Sequence, residues 1–473
     1  MLWLPAAPRK ARTRSGRIFA EFFQSPVFSI RAPLLAAIQV ESDNQEDAES
    51  DEELEAELSS DDLDDLEGEA SLDIDDIAPE EPPRKRRKTE KKRPVVIADL
   101  GPPPTPRWPP GPGPSEAGPQ ASSCGPGAWA PASCGCLVTA QLPVEQGSYR
   151  AGMPTKTEFR GAKKARGLDD FLRMGFQLIK WNGINGMPLL DSSGRIFAVL
   201  AGRPNTVAYA LVIQQAFAVV VAAAAARAAS GTPVAAHRRG LYAAVTVGLS
   251  YGQGQTAPCV LGSEYPELAE QLTNHDAFQE IASFGSSMLA FWAPRLYQYY
   301  RRYNAKLDEK LHQPRPFARS VFSAATFNLG PWVWTFKHRD VLNLPFGWCA
   351  ITALGNFDPT KGGHLVLWDL RMVVEFPPGA TILIPSATLV HSNTPVSKHE
   401  HRASFTQYTA GGLFRYVDND FRTEAQLASE DPALYERRLG EKESRYEEGM
   451  GLWSSLDELV QRAEALEIDG QLE

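Results

Sequence analysis

Three side chains of the types that bind transition metals stand in one part of the sequence. His338 and Asp340 are separated by a single residue, and His391 follows after several short apolar segments. In an extended strand, residues i and i+2 point to the same side, so His338 and Asp340 can face one cavity while Arg339 faces away. Two imidazoles and one carboxylate, with coordination positions left open, are the donor set of non-haem Fe(II) oxygenases. The sequence therefore predicts a metal site of His338, Asp340 and His391.

The third ligand has to come from a strand that folds back over the first pair. Pro377 to Gly379 has the residues of a tight turn, and Thr381 to Pro385 reads as a buried strand leading towards His391. Between the ligands, Gly362-Gly363 predicts another turn, which opens a strand from His364 to Leu370. These short strands and turns would let the chain fold back and bring His391 beside His338 and Asp340.

Other histidines in the same part of the chain are alternatives to His391. His399 and His401 lie in a polar loop, and His401 leaves no room before Arg402. We therefore prefer His391 as the third ligand. His364 is interpreted as a structural residue of its strand.

Arg402 and Ser404 provide a second chemical feature. They are two residues apart in RASFTQYTA, which is predicted to be a strand, so both side chains face the same side. A guanidinium fork with a neighbouring hydroxyl binds a carboxylate through several hydrogen bonds. An arginine shortly after the last iron ligand, in an Arg-x-Ser pair, is how 2-oxoglutarate oxygenases hold the far carboxylate of their cosubstrate. We expect Arg402 and Ser404 to bind 2-oxoglutarate.

The segment resembles the 2-oxoglutarate and Fe(II)-dependent dioxygenases. More closely, the words ATFNLGP, FGWCAITALG, GGHLVLWDL, ILIPSA and FTQYTAGGLF are similar to a family of basidiomycete fungal oxygenases grouped with the TET/JBP nucleobase oxygenases. The resemblance covers about Tyr149 to Phe421. It implies a double-stranded β-helix (jelly-roll) core, with Fe(II) held by His338, Asp340 and His391. It also implies that O2 is a substrate.

The chain organisation predicts an α+β protein with a jelly-roll oxygenase core, flanking helices and a long disordered N-terminal region. Residues 1–147 form that region, 148–421 the dioxygenase domain, and 422–473 an acidic helical tail. Within the N-terminal region, the run 41–81 has 21 acidic residues and no lysine or arginine, so it cannot bury enough surface to fold. Residues 100–146 are rich in Pro, Gly, Ala and Ser and read as a linker.

Charge is distributed unevenly along the chain. The formal net charge is −10, but the segment from Pro94 to Tyr416 carries +9, a surplus that attracts phosphate backbones. The basic cluster from Pro82 to Pro94, PPRKRRKTEKKRP, is typical of a nuclear localisation signal or a nucleic-acid patch. We expect a nuclear protein with DNA as partner. The five cysteines include no C-x-x-C pair, which argues against a disulfide framework or a cysteine zinc module.

Several further elements can be assigned. Val207 to Ala229 is a nearly continuous apolar helix, long enough to cross a bilayer, which we interpret as a buried helix and not as a membrane span. Phe346 and Trp348 stand near the ligands, where they are candidates for sandwiching a base. Two polar helices, Pro432 to Tyr446 and Ser454 to Leu466, are predicted in the tail.

These observations predict an enzyme, a 2-oxoglutarate- and Fe(II)-dependent dioxygenase that oxidises methylated bases such as 5-methylcytosine in DNA. Two alternatives remain open. One is a hydroxylase of protein side chains, of the prolyl or lysyl type, with the same chemistry. The other is a non-catalytic binding protein that retains the jelly roll.

Overall fold

The structure is a computed structural model, and it describes residues 132–133, 137–155, 159, 162–229, 231, 237–252, 254–263, 265–313 and 315–468. The acidic run 41–81, the basic cluster 82–94 and most of the expected linker 100–146 lie outside the described residues. The same holds for Cys124, Cys134 and Cys136. Cys259 and Cys349 are free thiols.

Thirteen strands are found in the part of the chain that the structure describes. They are β1 (Ala132–Ser133), β2 (Gln177–Ile179), β3 (Met187–Leu190), β4 (Ile196–Gly202), β5 (Ala243–Ser250), β6 (Cys259–Val260), β7 (Ala324–Leu329), β8 (Cys349–Asn356), β9 (Leu365–Leu367), β10 (Met372–Val374), β11 (Thr381–Ile384), β12 (His391–Asn393) and β13 (His401–Tyr408). Nine strands form a large sheet in the order β1-β3-β4-β11-β8-β13-β7-β5-β6, and four form a small sheet in the order β12-β9-β10-β2.

The chain alternates between the two sheets as a jelly roll does. It passes from β7 in the large sheet to an extended segment at His338, which bridges β12 of the small sheet, and returns to β8. Strands β9 and β10 follow in the small sheet, then β11 in the large one, β12 in the small one and β13 in the large one. Two facing sheets linked in this way make the double-stranded β-helix. The predicted fold class, α+β with a jelly-roll core, is confirmed.

Ten α-helices accompany the sheets in the described residues. They are α1 (Leu168–Arg173), α2 (Val207–Ala229), α3 (Pro266–Asn274), α4 (Asp276–Trp292), α5 (Pro294–Leu311), α6 (Gly411–Asp418), α7 (Glu424–Glu430), α8 (Pro432–Gly440), α9 (Arg445–Met450) and α10 (Leu456–Ile468). A short 3-10 helix covers Thr139–Gln141.

Strand β13 shows how the sequence pattern places side chains on the two faces of the large sheet. Ala403 and Phe405 pack with Phe327 of β7 and with Phe278 of α4, in the layer between sheet and helices. Because successive side chains alternate, Arg402 and Ser404 point to the opposite face, into the barrel. Packing of the apolar side chains of β13 against the helices thus directs its polar side chains into the barrel.

Helix α2 covers part of the outer face of the large sheet. It begins after Thr206, whose hydroxyl accepts a hydrogen bond from the Tyr209 N–H, as an N-cap does. One side of the helix, including Ile213, Ala216 and Val220, is buried against the strands and α4. The other side leaves Leu211 half exposed, and the helix is long and apolar enough to span a membrane by length and composition.

The interpretation of Phe346 and Trp348 as residues that sandwich a base is wrong. Phe346 and Trp348 are each 1% exposed and belong to the main hydrophobic core, so they cannot sandwich a base. They share this core with Met450 and Trp453 of the tail, and the indole of Trp453 donates a hydrogen bond to the Phe346 carbonyl.

The predicted helix from Pro432 to Tyr446 is also wrong as a single element. It ends at Gly440, and α9 begins at Arg445. Glycine is a poor helix residue, and the break turns Arg445 and Tyr446 inward, where both are buried.

The expected linker joins the fold before its predicted end at Gln146. Leu137 and Leu142 are buried in the main core, and the Thr139 hydroxyl donates to the buried carboxylate of Asp191. Proline and glycine content suggested a chain without structure, but two leucines and one hydroxyl give this stretch sufficient contacts to order it. Strand β1 also pairs with β3, in parallel.

Candidate metal and carboxylate site in the barrel

The backbone holds the two imidazole residues of the predicted metal site side by side. The N–H of His338 donates to the carbonyl of His391, and the N–H of His391 donates to the carbonyl of His338, both at 3.0 Å. Asp340 is fixed by its own N–H, which donates to the Ser386 carbonyl at 2.9 Å. All three side chains are buried, and their ligand atoms lie within 4.8 Å of one another. The structure thus brings the three predicted ligands together.

The ring orientations of the two histidines suit metal binding. His338 Nδ1 is 2.7 Å from the Phe336 carbonyl, and His391 Nδ1 is 2.9 Å from the Leu389 carbonyl. A carbonyl oxygen only accepts, so each Nδ1 carries the hydrogen and each Nε2 keeps its lone pair. Hydrogen bonds of this kind orient metal-ligating histidines in known sites.

The protonation states also suit a cation. Burial lowers the pKa of His338 well below its ordinary value, and the neighbouring His391 adds to the effect. Burial likewise lowers the pKa of His391. For Asp340, burial raises the pKa, but Arg239, the two histidines and Arg238 together outweigh this, so the net pKa lies below the usual range. Two neutral imidazoles and an ionised carboxylate are the forms that bind a metal ion.

Two arginines near Asp340 were not found from the sequence. Arg239 Nη2 lies 2.7 Å from Asp340 Oδ1, and Arg238 Nη2 lies 3.5 Å from the same atom. The arrangement is an ion pair without hydrogen-bond alignment, because Oδ1 has no hydrogen-bond partner. Arg238 also donates a hydrogen bond to the Arg339 carbonyl at 2.7 Å, which fixes the position of its side chain. Nothing in the local spacing around these arginines indicates a contact with a strand so distant in the chain.

Arg402 is buried and has no counter-ion in the part of the chain that the structure describes. It is 1% exposed, its Nη1 donates to the Val333 carbonyl at 2.7 Å, and its Nε has no hydrogen-bond partner. The rings of Phe357 and Phe376 lie 5.8 and 6.0 Å from the guanidinium carbon. Among the described residues no carboxylate pairs with it, and burial lowers its pKa to about 10. A buried cation of this kind is unfavourable unless an anion binds it.

Glycines make the space that this guanidinium occupies. Gly355 lies directly opposite Arg402 in the ladder between β8 and β13. Gly363 has φ +73°, and a β-carbon there would stand 3.1 Å from Arg402 Nε and 2.6 Å from the Phe357 ring. The Gly362-Gly363 pair, read from the sequence as a turn, therefore also keeps side chains away from Arg402.

Further polar groups lie around Arg402. The Ser404 hydroxyl, on the same face of β13, accepts a hydrogen bond from Asn328 Nδ2 at 2.9 Å. His364 is fully buried, its Nε2 has no partner, and burial together with the charge of Arg402 lowers its pKa to about 4. The buried hydroxyl of Tyr242 also has no partner.

The remaining histidines fall outside the metal cluster. His399 is exposed in a loop, and His401 begins β13, where it pairs with Asn356 in the ladder. His364, interpreted as a structural residue, is absent from the metal cluster, but its unpaired nitrogen near Arg402 gives it a polar role that sequence reasoning missed. Its position directly before β9, next to the Gly362-Gly363 turn, was the sequence signal that could have indicated this role.

Comparison with known proteins finds matches among solved structures. No protein-family model matches the chain, and neither does any curated protein. The solved structure of NgTET1 in complex with 5mC DNA superposes with a TM-score of 0.35 and 12% identity, over 55% of this chain and 92% of that chain. A viral collagen prolyl hydroxylase from Paramecium Bursaria Chlorella virus-1, in its 2OG complex, superposes with a TM-score of 0.16 and 14% identity, over 23% of this chain and 67% of that one. Both TM-scores are too low to carry an argument, so the fold assignment rests on the strand order.

Proposed function

We propose that the protein is a 2-oxoglutarate- and Fe(II)-dependent dioxygenase. The observation that carries this proposal is the presence in one barrel of two complementary sites. One is a buried His338–Asp340–His391 cluster in the protonation state that binds a metal. The other is the buried guanidinium of Arg402, for which the described residues provide no carboxylate.

The residues present fit both groups. Two imidazole nitrogens and one carboxylate oxygen suit Fe(II), which together with 2-oxoglutarate and O2 supplies the oxidation of a C–H bond. Arg402 would bind the far carboxylate of the cosubstrate, with Ser404 and His364 beside it. The backbone carbonyls that receive the two Nδ1 hydrogens keep both imidazoles in the metal-binding tautomer.

For the substrate we propose a methylated base in DNA, of the 5-methylcytosine type. Support comes from the sequence resemblance of the segment 149–421 and from the net charge of +9 between Pro94 and Tyr416. The base would have to leave the helical stack to reach a buried site, at a cost of a few kcal/mol. We also propose nuclear import directed by the basic cluster from Pro82 to Pro94.

Succinate release in the presence of Fe(II), 2-oxoglutarate and O2 tests the proposal. We expect release to be stimulated by methylated duplex DNA and much less by unmethylated duplex or by proline- and lysine-containing peptides. Stimulation by peptides alone would replace the DNA proposal with a side-chain hydroxylase. Metal binding without turnover on any substrate would favour a non-catalytic binding protein.

The ligand assignment has a matched control within the chain. We expect His338→Ala to lose metal binding and turnover while keeping its fold, because the lost imidazole is one of three donors. His399→Ala, which removes an exposed histidine outside the cluster, should keep both. Full turnover of the His338→Ala variant would refute the ligand assignment.

A further inference from the structure

A second polar cavity lies outside the metal and carboxylate site. Its volume is about 70 Å3, and it opens between the chain around Tyr149, the loop at Tyr251, the first turn of α6 and the end of α8. A cavity needs at least about 10–15 Å3 to hold a single water molecule, so this one is several times larger and has room for a tetrahedral oxyanion. Two of its walls are aromatic, formed by Tyr149 and Tyr251.

The lining of this cavity is strongly basic. It includes five lysine or arginine side chains against two glutamates. The carboxylate of Glu145 forms an ion pair with Arg150, another residue of the lining. Glu424 is exposed, in the first turn of α7. The cavity therefore carries a positive surplus that its own acidic residues do not neutralise.

Three of these cations come from the acidic C-terminal tail. Arg438, Lys442 and Arg445 follow one another at helical spacing across the break between α8 and α9. Arg438 and Arg445 both contact Glu441, and Arg445 also donates to the Gly147 carbonyl and stacks on the ring of Tyr149. These contacts hold the two arginines as fixed parts of the wall.

Arg150 is paired with Glu145, so two of the five cations, Arg415 and Lys442, remain available to a ligand. Arg415 lies in α6 with its guanidinium 5.8 Å from the ring of Tyr251, and Lys442 lies between α8 and α9. Both are half-buried, and in the described part of the chain neither has an acidic partner. Half-buried, unpaired cations that share one small cavity repel each other unless an anion lies between them.

One residue of the cavity wall is close in sequence, and therefore in space, to the metal cluster. Leu342 lines it and is only two residues beyond the ligand Asp340. Since consecutive Cα atoms are 3.8 Å apart, these two Cα atoms are separated by at most about 7.6 Å. The Gly411 N–H, at the start of α6, donates to the Leu342 carbonyl and joins the cavity wall to this segment.

We propose that this cavity binds a backbone phosphate of the nucleic acid whose base reaches the metal cluster. The proposal rests on the proposed function, and it adds the partner contact that would position the strand. A phosphodiester matches the size of the cavity, its positive charge and its hydrogen-bond donors from Arg415 and Lys442. Phosphate contacts of this kind fix the register of a protein on nucleic acid without reading sequence.

The test is the salt dependence of binding by the full chain to a methylated duplex, measured by fluorescence anisotropy without iron or 2-oxoglutarate. We expect the double variant Arg415→Gln, Lys442→Gln to bind at least about tenfold more weakly at low salt, because charge-assisted hydrogen bonds are lost. The slope of log K against log salt should fall by about one. The single variant Arg415→Lys, which keeps the charge, should retain most of the affinity of the parent.

The matched control is Arg437→Gln, which removes an exposed charge from the same helix as Arg438 but outside the cavity. It should leave affinity and slope close to those of the parent. Equal weakening by the control, or an unchanged slope in the double variant, would overturn the proposal. Binding of inorganic phosphate at the site, with DNA affinity unchanged by the double variant, would also overturn it.

The outcome is separable from that of the proposed function. If no DNA supports succinate release but the double variant still loses affinity, the phosphate site stands and the reaction assignment fails. If methylated DNA is turned over and the double variant binds it normally, the reaction assignment stands and the phosphate site fails.

Discussion

Two buried charges inside the barrel, the carboxylate of Asp340 and the guanidinium of Arg402, have opposite environments. Asp340 is contacted by Arg239 and Arg238, so its negative charge is met by two positive ones before any metal binds. Arg402 has rings, glycines and one carbonyl around it, and no carboxylate among the described residues. The barrel therefore compensates one of these charges internally, whereas the described residues provide no counter-ion for the other.

This difference predicts how each charge affects the stability of the free protein. A compensated charge contributes to stability in the free protein, and removing it leaves its partners unpaired. An uncompensated buried charge lowers stability until its ligand arrives. Substitutions at the two positions should therefore have opposite effects on the free protein.

The largest effect is expected at Asp340. Asp340→Asn removes a metal-binding charge and leaves Arg238 and Arg239 next to a neutral amide. We expect undetectable turnover and a loss of roughly 2–3 kcal/mol in the free energy of unfolding, the lower part of the range for a broken buried pair. The lower part applies because the Arg239 side chain is 31% exposed. Urea unfolding in the presence of a chelator measures the change.

Asp358 supplies the control for this prediction. Its carboxylate pairs with exposed Lys361, so Asp358→Asn should cost less than about 1 kcal/mol and should not affect turnover. An equal loss of stability in the two variants would show that Asp340 is not a specially compensated charge.

The next effect concerns Arg402. Arg402→Met replaces an uncompensated buried cation with an apolar side chain of similar length, so the free protein should be as stable as the parent or about 1 kcal/mol more stable. On the proposed function, the variant should lose at least about 90% of its turnover, since it lacks the guanidinium that would bind the far carboxylate of 2-oxoglutarate, an interaction of about 1.5–3 kcal/mol. Thermal unfolding with and without 2-oxoglutarate measures both properties.

The parent protein should gain stability with 2-oxoglutarate, and Arg402→Met should gain none. A destabilisation of several kcal/mol in the free variant would mean that Arg402 is a structural residue, and the comparison with Asp340 would fail.

The smallest effect is expected at Gly363. Gly363→Ala places a β-carbon against Arg402 and Phe357 at a backbone φ of +73°, so it should raise the KM for 2-oxoglutarate several-fold. It should also cost about 1–2 kcal/mol in stability, from the strained φ and from the displaced neighbours. Steady-state kinetics and urea unfolding provide the two measurements.

Gly175 separates these two causes. It has φ +77° and open space around its β-carbon position, so Gly175→Ala carries the backbone cost alone. It should leave the KM for 2-oxoglutarate unchanged. A KM change of the same size in both variants would show that Gly363 does not act through Arg402.

The barrel and its central residues were predictable because their signals are local. The i, i+2 spacing of His338 and Asp340 and the alternation along β13 each depend on a few neighbouring residues. The contacts of Arg239 with Asp340 and of His364 near Arg402 depend on which distant segments meet in the fold, and no spacing in the sequence encodes them. Phe346 and Trp348 were misread for a related reason, because the C-terminal helices that cover them follow about a hundred residues later.

The reciprocal hydrogen bonds between His338 and His391 have a consequence for how an ion would be held. Two residues that exchange both N–H···O bonds are a hydrogen-bonded antiparallel pair, and the main chain sets their Cα separation at about 5.5 Å. The imidazoles therefore belong to the scaffold before any ion arrives, unlike those of small zinc modules that fold around their metal. Little of the binding free energy is therefore needed to order these two donors. A metal ion could bind and dissociate without changing the position of this part of the main chain.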